Sequence, residues 1–171
     1  DHISFNSPTQ WKRHKAAALA AGRKISFGLR VNPEHAEVDV ELYNPCAAGS
    51  RLGTLRSEIK SAADLDGLEG LHFHTMCQQG SDVLERTVAA FEAKFGEFIP
   101  QLKWVNFGGG HHITREGYDL DRLVRIITGF RQRWGQHIQV YLEPGEAIGI
   151  GTGVLVGTVL DLAHNGMDIA I

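Results

Sequence analysis

Three short stretches place unusual residues just where an apolar run ends. In His72-Phe73-His74, residues two apart share a face of an extended chain, so both imidazoles point one way and Phe73 points the other, into packing. In Gly108-Gly109-Gly110, which follows Trp104 to Phe107, consecutive glycines let backbone N–H groups come close to an anion. That is the chemistry of a phosphate cradle; the plainer reading is a tight turn between strand and helix. The spacing around these glycines is not that of a dinucleotide-binding fingerprint. In Glu143-Pro144-Gly145, a strand-end carboxylate could accept a hydrogen bond from a protonated ring nitrogen and keep it charged. Without such a partner it is an exposed acid that ends a strand.

Paired imidazoles with a carboxylate nearby also suit a metal ion, as in barrel hydrolases. On that reading His72, His74, His111 and His112 with Glu143 are candidate ligands, but the triple glycine is left unexplained, and no metal is expected. A flat imidazole can equally stack on a flat cofactor ring. Arg30 and Arg51 (within Ser50-Arg51-Leu52-Gly53) could orient anions, although either alone reads as a surface arginine. Cys46 and Cys77 stand too far apart for paired ligation and are too few for a disulfide framework, so two reduced thiols of a cytosolic protein are expected.

The elements that position these residues follow from hydrophobic periodicity. Ser7 is a suitable N-cap with Pro8 at the first helical position, and the helix to Ala21 carries Trp11, Ala18 and Leu19 on one side before Gly22 closes it. Ile25 to Val31, Leu68 to Phe73, Trp104 to Phe107 and Ile138 to Leu142 read as strands. Ser81 to Phe95 reads as a helix with Val83, Leu84, Val88, Phe91 and Phe95 as its apolar stripe, and Leu120 to Trp134 as another with Leu120, Leu123, Ile126, Ile127 and Phe130. The stretch from Glu34 to Arg56 lacks a period and reads as a long, functional loop. Alternating strands and helices predict an α/β protein with parallel strands. Because His74, Gly108 to Gly110 and Glu143 all follow strand ends, a barrel with its site at the C-terminal face is favoured over an open sheet. After Gly145 the character changes: Val154 to Leu162 and Met167 to Ile171 are strand-like with no helix between them.

At 171 residues, 43% hydrophobic and 22% charged, the chain is the size and composition of one ordinary globular domain. A net charge of -3 offers no basic footprint for nucleic acid. The longest apolar stretch, Ile148 to Leu162, is broken by glycines, so no membrane span is expected. The first residues have neither the basic nor the apolar region of an export signal, and both ends read as cuts through structure.

Taken in order, Arg30-Val31-Asn32-Pro33, Ser50-Arg51-Leu52-Gly53, Phe73-His74, Gly108 to Gly110 and Glu143-Pro144-Gly145 resemble the fold-type III pyridoxal-phosphate decarboxylases, which act on ornithine, arginine, diaminopimelate and carboxynorspermidine. Tyr43-Asn44-Pro45-Cys46, Ser50-Arg51-Leu52-Gly53, Gly108 to His112 and Glu143-Pro144-Gly145-Glu146-Ala147 are similar to the carboxynorspermidine branch. The resemblance implies part of an alanine-racemase-type (β/α)8 barrel that binds pyridoxal 5'-phosphate over residues 1–150, and the start of a C-terminal β domain over 151–171. It implies that His74 stacks on the pyridine ring, that Gly108, Gly109 and Gly110 hold the phosphate, that Glu143 pairs with the ring nitrogen, and that Arg30 and Cys77 lie near the cofactor. Cys77 stands where relatives often have Ser. Glu146 stands where several have a phosphate-binding Arg, and could instead meet a cationic amine of a carboxy-polyamine substrate; Arg51 and His111 are the other candidate substrate contacts. A cytoplasmic homodimer is implied as well. The alternatives are another basic amino-acid decarboxylase of this fold, a non-catalytic pyridoxal-phosphate-binding barrel, and the metal-dependent hydrolase on His72 and His74.

The family's Schiff-base lysine would lie N-terminal to Asp1, in a strand ending in Lys. The 171 residues alone are therefore expected to release no carbon dioxide from a carboxy-polyamine, and turnover by that segment would contradict the expectation.

Overall fold

The computed structural model describes residues 1–171. Strand β1 (His2–Phe5) leads into α1 (Pro8–Ala20), then β2 (Ser26–Asn32), the short β3 (Thr54–Leu55), β4 (Gly70–His72), α2 (Ser81–Phe95), β5 (Trp104–Asn106), α3 (Leu120–Trp134), β6 (Gln139–Tyr141) and α4 (Gly145–Gly149). Strands β1, β2, β4, β5 and β6 pair in that order and all in parallel, with β3 added to β2 off the main path. A final hairpin, β7 (Leu162–His164) and β8 (Asp168–Ala170), is antiparallel and separate from this sheet. No helix is long and apolar enough to cross a membrane.

Local chemistry sets the helix ends. The Ser7 hydroxyl accepts the Gln10 N–H at 3.1 Å, and Pro8 has no N–H to leave unpaired in the first turn. Asp119 caps α3 in the same way, accepting the Arg122 N–H at 2.8 Å. Helix α2 begins at Ser81 and ends at Phe95 as the periodicity predicts, and its whole stripe is buried. The Phe73 ring stands 5.1 Å from Phe91 and 5.3 Å from Phe107, and Phe107 stands 5.3 Å from Phe130. These four rings bind β4, β5, α2 and α3 into one core.

Two expected apolar faces are narrower than the pattern suggests. In α1 only Trp11 is buried among the three residues expected there, with its indole N–H on the Asp66 carbonyl at 2.9 Å; Leu19 is exposed. The helix is anchored at that turn, where Lys12 and Lys15 pair with Asp64 and Asp66. In α3 the first residue, Leu120, is exposed while Leu123, Ile126 and Phe130 are buried. Strand β1 and helix α4, by contrast, are short elements with no clear periodic signal in the sequence. The stretch Val154 to Leu162 was expected as a strand but forms none before Leu162, and Leu155 is fully exposed. A strand needs a partner for its N–H and C=O groups. Here pairing begins only where the chain turns back at Gly166, with φ +69°.

Register explains which side chains share a face. Leu29, Leu71, Val105 and Val140 are neighbours across β2, β4, β5 and β6 and pack toward the helices. The rows on either side face the opposite way: Gly28, Gly70, Trp104 and Gln139 toward the N-terminal ends, and Arg30, His72, Asn106 and Tyr141 toward the C-terminal ends. Trp104 lies flat over the two glycines. A Cβ on Gly70 would stand 2.1 Å from the indole and one on Gly28 2.4 Å. The indole N–H donates to Ser26 Oγ at 2.8 Å, and that hydroxyl donates to Glu69 at 2.5 Å. Trp104 thus floors the row of Arg30, His72 and Asn106. Overpacking of this severity predicts that Gly70→Ala loses about 3 kcal/mol of stability in denaturant unfolding of the full protein, with partial recovery when Trp104→Leu is added. An unchanged midpoint would contradict the flooring role.

Candidate functional site

The C-terminal ends of β4, β5 and β6 bring together the three stretches that stood out in the sequence. His72 ends β4 on the inner row and His74 follows it two residues later, while Phe73 between them is fully buried on the helix side. Glu143, two residues beyond β6, places Oε2 3.6 Å from His72 Nε2 and 3.9 Å from His74 Nδ1. Its other oxygen, Oε1, accepts a hydrogen bond from Asn106 Nδ2 at 2.7 Å. Arg30, next to His72 in register, donates from Nη2 to the His74 carbonyl at 3.3 Å.

The glycine loop threads between these groups with no room for side chains. A Cβ on Gly109 would stand 2.6 Å from the Glu143 carbonyl and 3.1 Å from the His74 ring. Gly108 and Gly110 take φ of +73° and +81°, where Cβ atoms would meet the Phe73 and Met76 carbonyls at 2.3 and 2.1 Å. Side chains are excluded by contact at all three positions, and by conformation as well at Gly108 and Gly110. The Gly109 N–H makes only a long 3.4 Å approach to His74 Nδ1, and the Gly110 N–H has no acceptor in the chain. Two adjacent amide donors with so little to bind form the kind of concavity that takes an anionic oxygen.

Burial sets the charge states. Removal from water pushes the His72 imidazole down to about 4, with Arg30 and His74 pushing the same way and Glu143 opposing them. His74 is also lowered, by burial and then by Arg30, against the pull of Glu143. Both rings are therefore neutral near pH 7, so the carboxylate faces two uncharged imidazoles, and neither nitrogen of His72 has a hydrogen-bond partner.

The remaining candidates divide. Cys77 is exposed and lies beside the loop, where a Cβ on Gly110 would stand 2.8 Å from its amide. Glu146, in α4, is tied to Gln78 Nε2; Gln78 itself takes the left-handed φ of +54°. His111 is not open to a substrate: it is 1% exposed with Nε2 on the Phe107 carbonyl at 3.3 Å, so it packs the loop from behind. Arg51 makes no side-chain bond to this cluster, and its contribution is a carbonyl that accepts from Asn6. Lys12, Lys15, Lys94 and Lys103 are held away from the cluster by Asp64, Asp66, Glu34 and Glu69. Asn106 was not singled out in the sequence; its place at a strand end before the glycines was the available signal.

The donor set can be weighed against two kinds of ligand. His72, His74 and Glu143 offer one atom each within 4.8 Å of one another, enough for three bonds to a metal ion. That use leaves the glycine loop without a purpose. A phosphorylated aromatic cofactor would use more of the site, with phosphate on the Gly109 and Gly110 amides, a ring against His74 and a ring nitrogen on Glu143 Oε2.

No family model matches the chain. It is 47% identical over 170 residues to the carboxynorspermidine/carboxyspermidine decarboxylase of Campylobacter jejuni, covering 99% of this chain and 43% of that protein. It is 42% identical over 162 residues to the carboxyaminopropylagmatine decarboxylase of Synechocystis, covering 94% and 41%. The crystal structure of a C. jejuni carboxynorspermidine decarboxylase complexed with norspermidine superposes with a TM-score of 0.78 at 43% identity, over 99% of this chain and 41% of that one. A diaminopimelate decarboxylase superposes at 0.70 with 21% identity over 96% and 41%, a likeness of fold. The sheet thus shares its fold with part of these decarboxylases, and the chain spans about two-fifths of the length of the relatives it matches.

The buried, neutral His72 makes stability depend on pH. Its folded value of about 4 lies below the ordinary 6.5, so between those limits the unfolded chain binds a proton that the folded one does not. Stability is then full above about pH 6.5 and is lost as pH falls toward 4. Denaturant unfolding across that window should show a shallower acid limb in His72→Gln than in the wild type; parallel curves would contradict a buried neutral His72.

Proposed function

We infer that this chain, similar along its whole length to the carboxynorspermidine/carboxyspermidine decarboxylases, forms much of the cofactor cradle of a pyridoxal-phosphate-dependent decarboxylase. One observation carries the reading: His74 Nδ1 lies 3.4 Å from the Gly109 amide nitrogen and 3.9 Å from Glu143 Oε2, so an anion donor pair, a flat neutral ring and a free carboxylate oxygen converge on one spot. Pyridoxal phosphate, when bound, supplies an electron sink for the electrons left by the departing carboxylate, and the protein supplies placement.

Gly109 and Gly110 would hold the phosphate through N–H groups, and the absence of side chains would let it approach; Gly108, expected to share this role, has its N–H already donated to Asn106 Oδ1. Glu143 Oε2 would accept a hydrogen bond from the protonated ring nitrogen and keep the ring cationic. His74, neutral, offers its face for stacking without adding positive charge beside that nitrogen, and Arg30 fixes the His74 backbone. Cys77 borders the cofactor. The covalent lysine is not among these residues. The substrate class is a carboxy-polyamine, carboxynorspermidine or carboxyspermidine, with Glu146 as a partner for one cationic amine once Gln78 releases it. The protein works as a cytoplasmic homodimer, with residues 1–150 in the barrel and 151–171 opening a β-rich second domain.

The test uses the full protein with pyridoxal phosphate and, in turn, carboxynorspermidine, carboxyspermidine and meso-diaminopimelate, following carbon dioxide release. Turnover of the first two is expected, with a chelator having no effect. Glu143→Gln should lower kcat by about 10–100-fold, the worth of a hydrogen bond to a charged group. Glu146→Gln should raise KM for the polyamine substrate; an unchanged KM would remove Glu146 from substrate binding. Preference for diaminopimelate would reassign the substrate, cofactor binding without turnover would make the protein a carrier, and zinc-dependent hydrolysis without the cofactor would overturn the reading.

A further inference from the structure

Asn106 takes part in a closed ring of three hydrogen bonds. Its Oδ1 accepts the Gly108 N–H at 2.8 Å, its Nδ2 donates to Glu143 Oε1 at 2.7 Å, and the Glu143 N–H donates back to the Gly108 carbonyl at 2.8 Å. The orientation of the carboxamide is fixed by this chemistry. A flipped amide would set NH2 against the Gly108 N–H and an oxygen against the Glu143 carboxylate, two repulsions in place of two bonds. One planar group therefore joins the glycine loop after β5 to the carboxylate after β6.

The fold holds Asn106 itself firmly. It is the last residue of β5, in register between His72 on β4 and Tyr141 on β6, and its backbone carbonyl accepts the Phe73 N–H at 3.0 Å. The bond to Glu143 also decides which carboxylate oxygen is free: Oε1 is taken, while Oε2 lies beyond hydrogen-bonding distance of His72 and His74.

We propose that Asn106 is a positioning residue that fixes the span between the phosphate-holding glycine loop and the nitrogen-pairing oxygen of Glu143. This rests on the cofactor reading above. A cofactor anchored at two ends gains affinity when those ends are held at a fixed separation, because the ordering cost is met before binding. Without the carboxamide, each end would still exist but would move independently, and both the strength of binding and the pairing at the ring nitrogen would suffer.

Two variants separate the two halves of the carboxamide. Asn106→Asp is isosteric and keeps the acceptor for Gly108, but offers an ionised Glu143 no donor. Asn106→Ala removes both contacts. The full protein is titrated with pyridoxal phosphate and with pyridoxal, which lacks the phosphate, by absorbance. Amide hydrogen exchange at Gly108 is measured without cofactor. In Asn106→Asp both ligands should weaken by a similar factor, on the order of tenfold, leaving their ratio unchanged and Gly108 protected. In Asn106→Ala, Gly108 exchange should quicken and pyridoxal phosphate should weaken more than pyridoxal, narrowing the ratio. If Asn106→Ala does not fold, the equal weakening of both ligands in the isosteric Asp variant decides, and wild-type affinity there overturns the proposal. Equal exchange at Gly108 in Asn106→Ala and the wild type overturns it whatever the cofactor does. A wild type that binds no pyridoxal phosphate instead removes the proposed function.

Discussion

The parallel register of β2, β4, β5 and β6 is the constraint on which the site depends. It sets Gly28, Gly70 and Trp104 in one row and Arg30, His72 and Asn106 in the next on that face. The lower row is filled by one indole lying over two glycines, and its N–H is satisfied through Ser26. Because that layer is full, the row above it points toward the open C-terminal end. A slip of one residue in any strand would turn the polar row into the helices and the leucines into the site.

The polar row then works through the loops that follow it. His72 is buried without a hydrogen-bond partner and stays neutral, which keeps a second positive charge away from Glu143. The loops are pinned to one another: Phe73 N–H on the Asn106 carbonyl, Phe107 N–H on the Tyr141 carbonyl, Glu143 N–H on the Gly108 carbonyl, and Gln79 N–H on the Gly110 carbonyl. The site stands on loops, but on loops stitched to strand ends, so its geometry has nearly the precision of the sheet.

Much of this was legible in the sequence because burial and strand ends leave periodic marks. Helices α2 and α3 showed their limits through apolar spacing, and the pairing of His72 with His74 followed from strand alternation. The triple glycine and Glu143 stood out as residues that regular elements do not use. Other features left no such mark. Strand β1 is short and lies near the chain start, and α4 has only five residues, too few for a period. The exposure of Leu19 and Leu120 depends on how far neighbouring elements extend. The burial of His111 depends on a loop path that spacing does not encode, and the role of Asn106 needs both of its partners in place before it can be seen.

On the proposed reading, the glycine loop and Glu143 hold the two ends of one pyridoxal phosphate. A crystal structure of the full protein, grown with pyridoxal phosphate and zinc both present, tests it most directly. The phosphate should lie on the Gly109 and Gly110 amides with the ring nitrogen on Glu143 Oε2. A zinc ion ligated by His72, His74 and Glu143, with no cofactor at the glycines, would contradict the account.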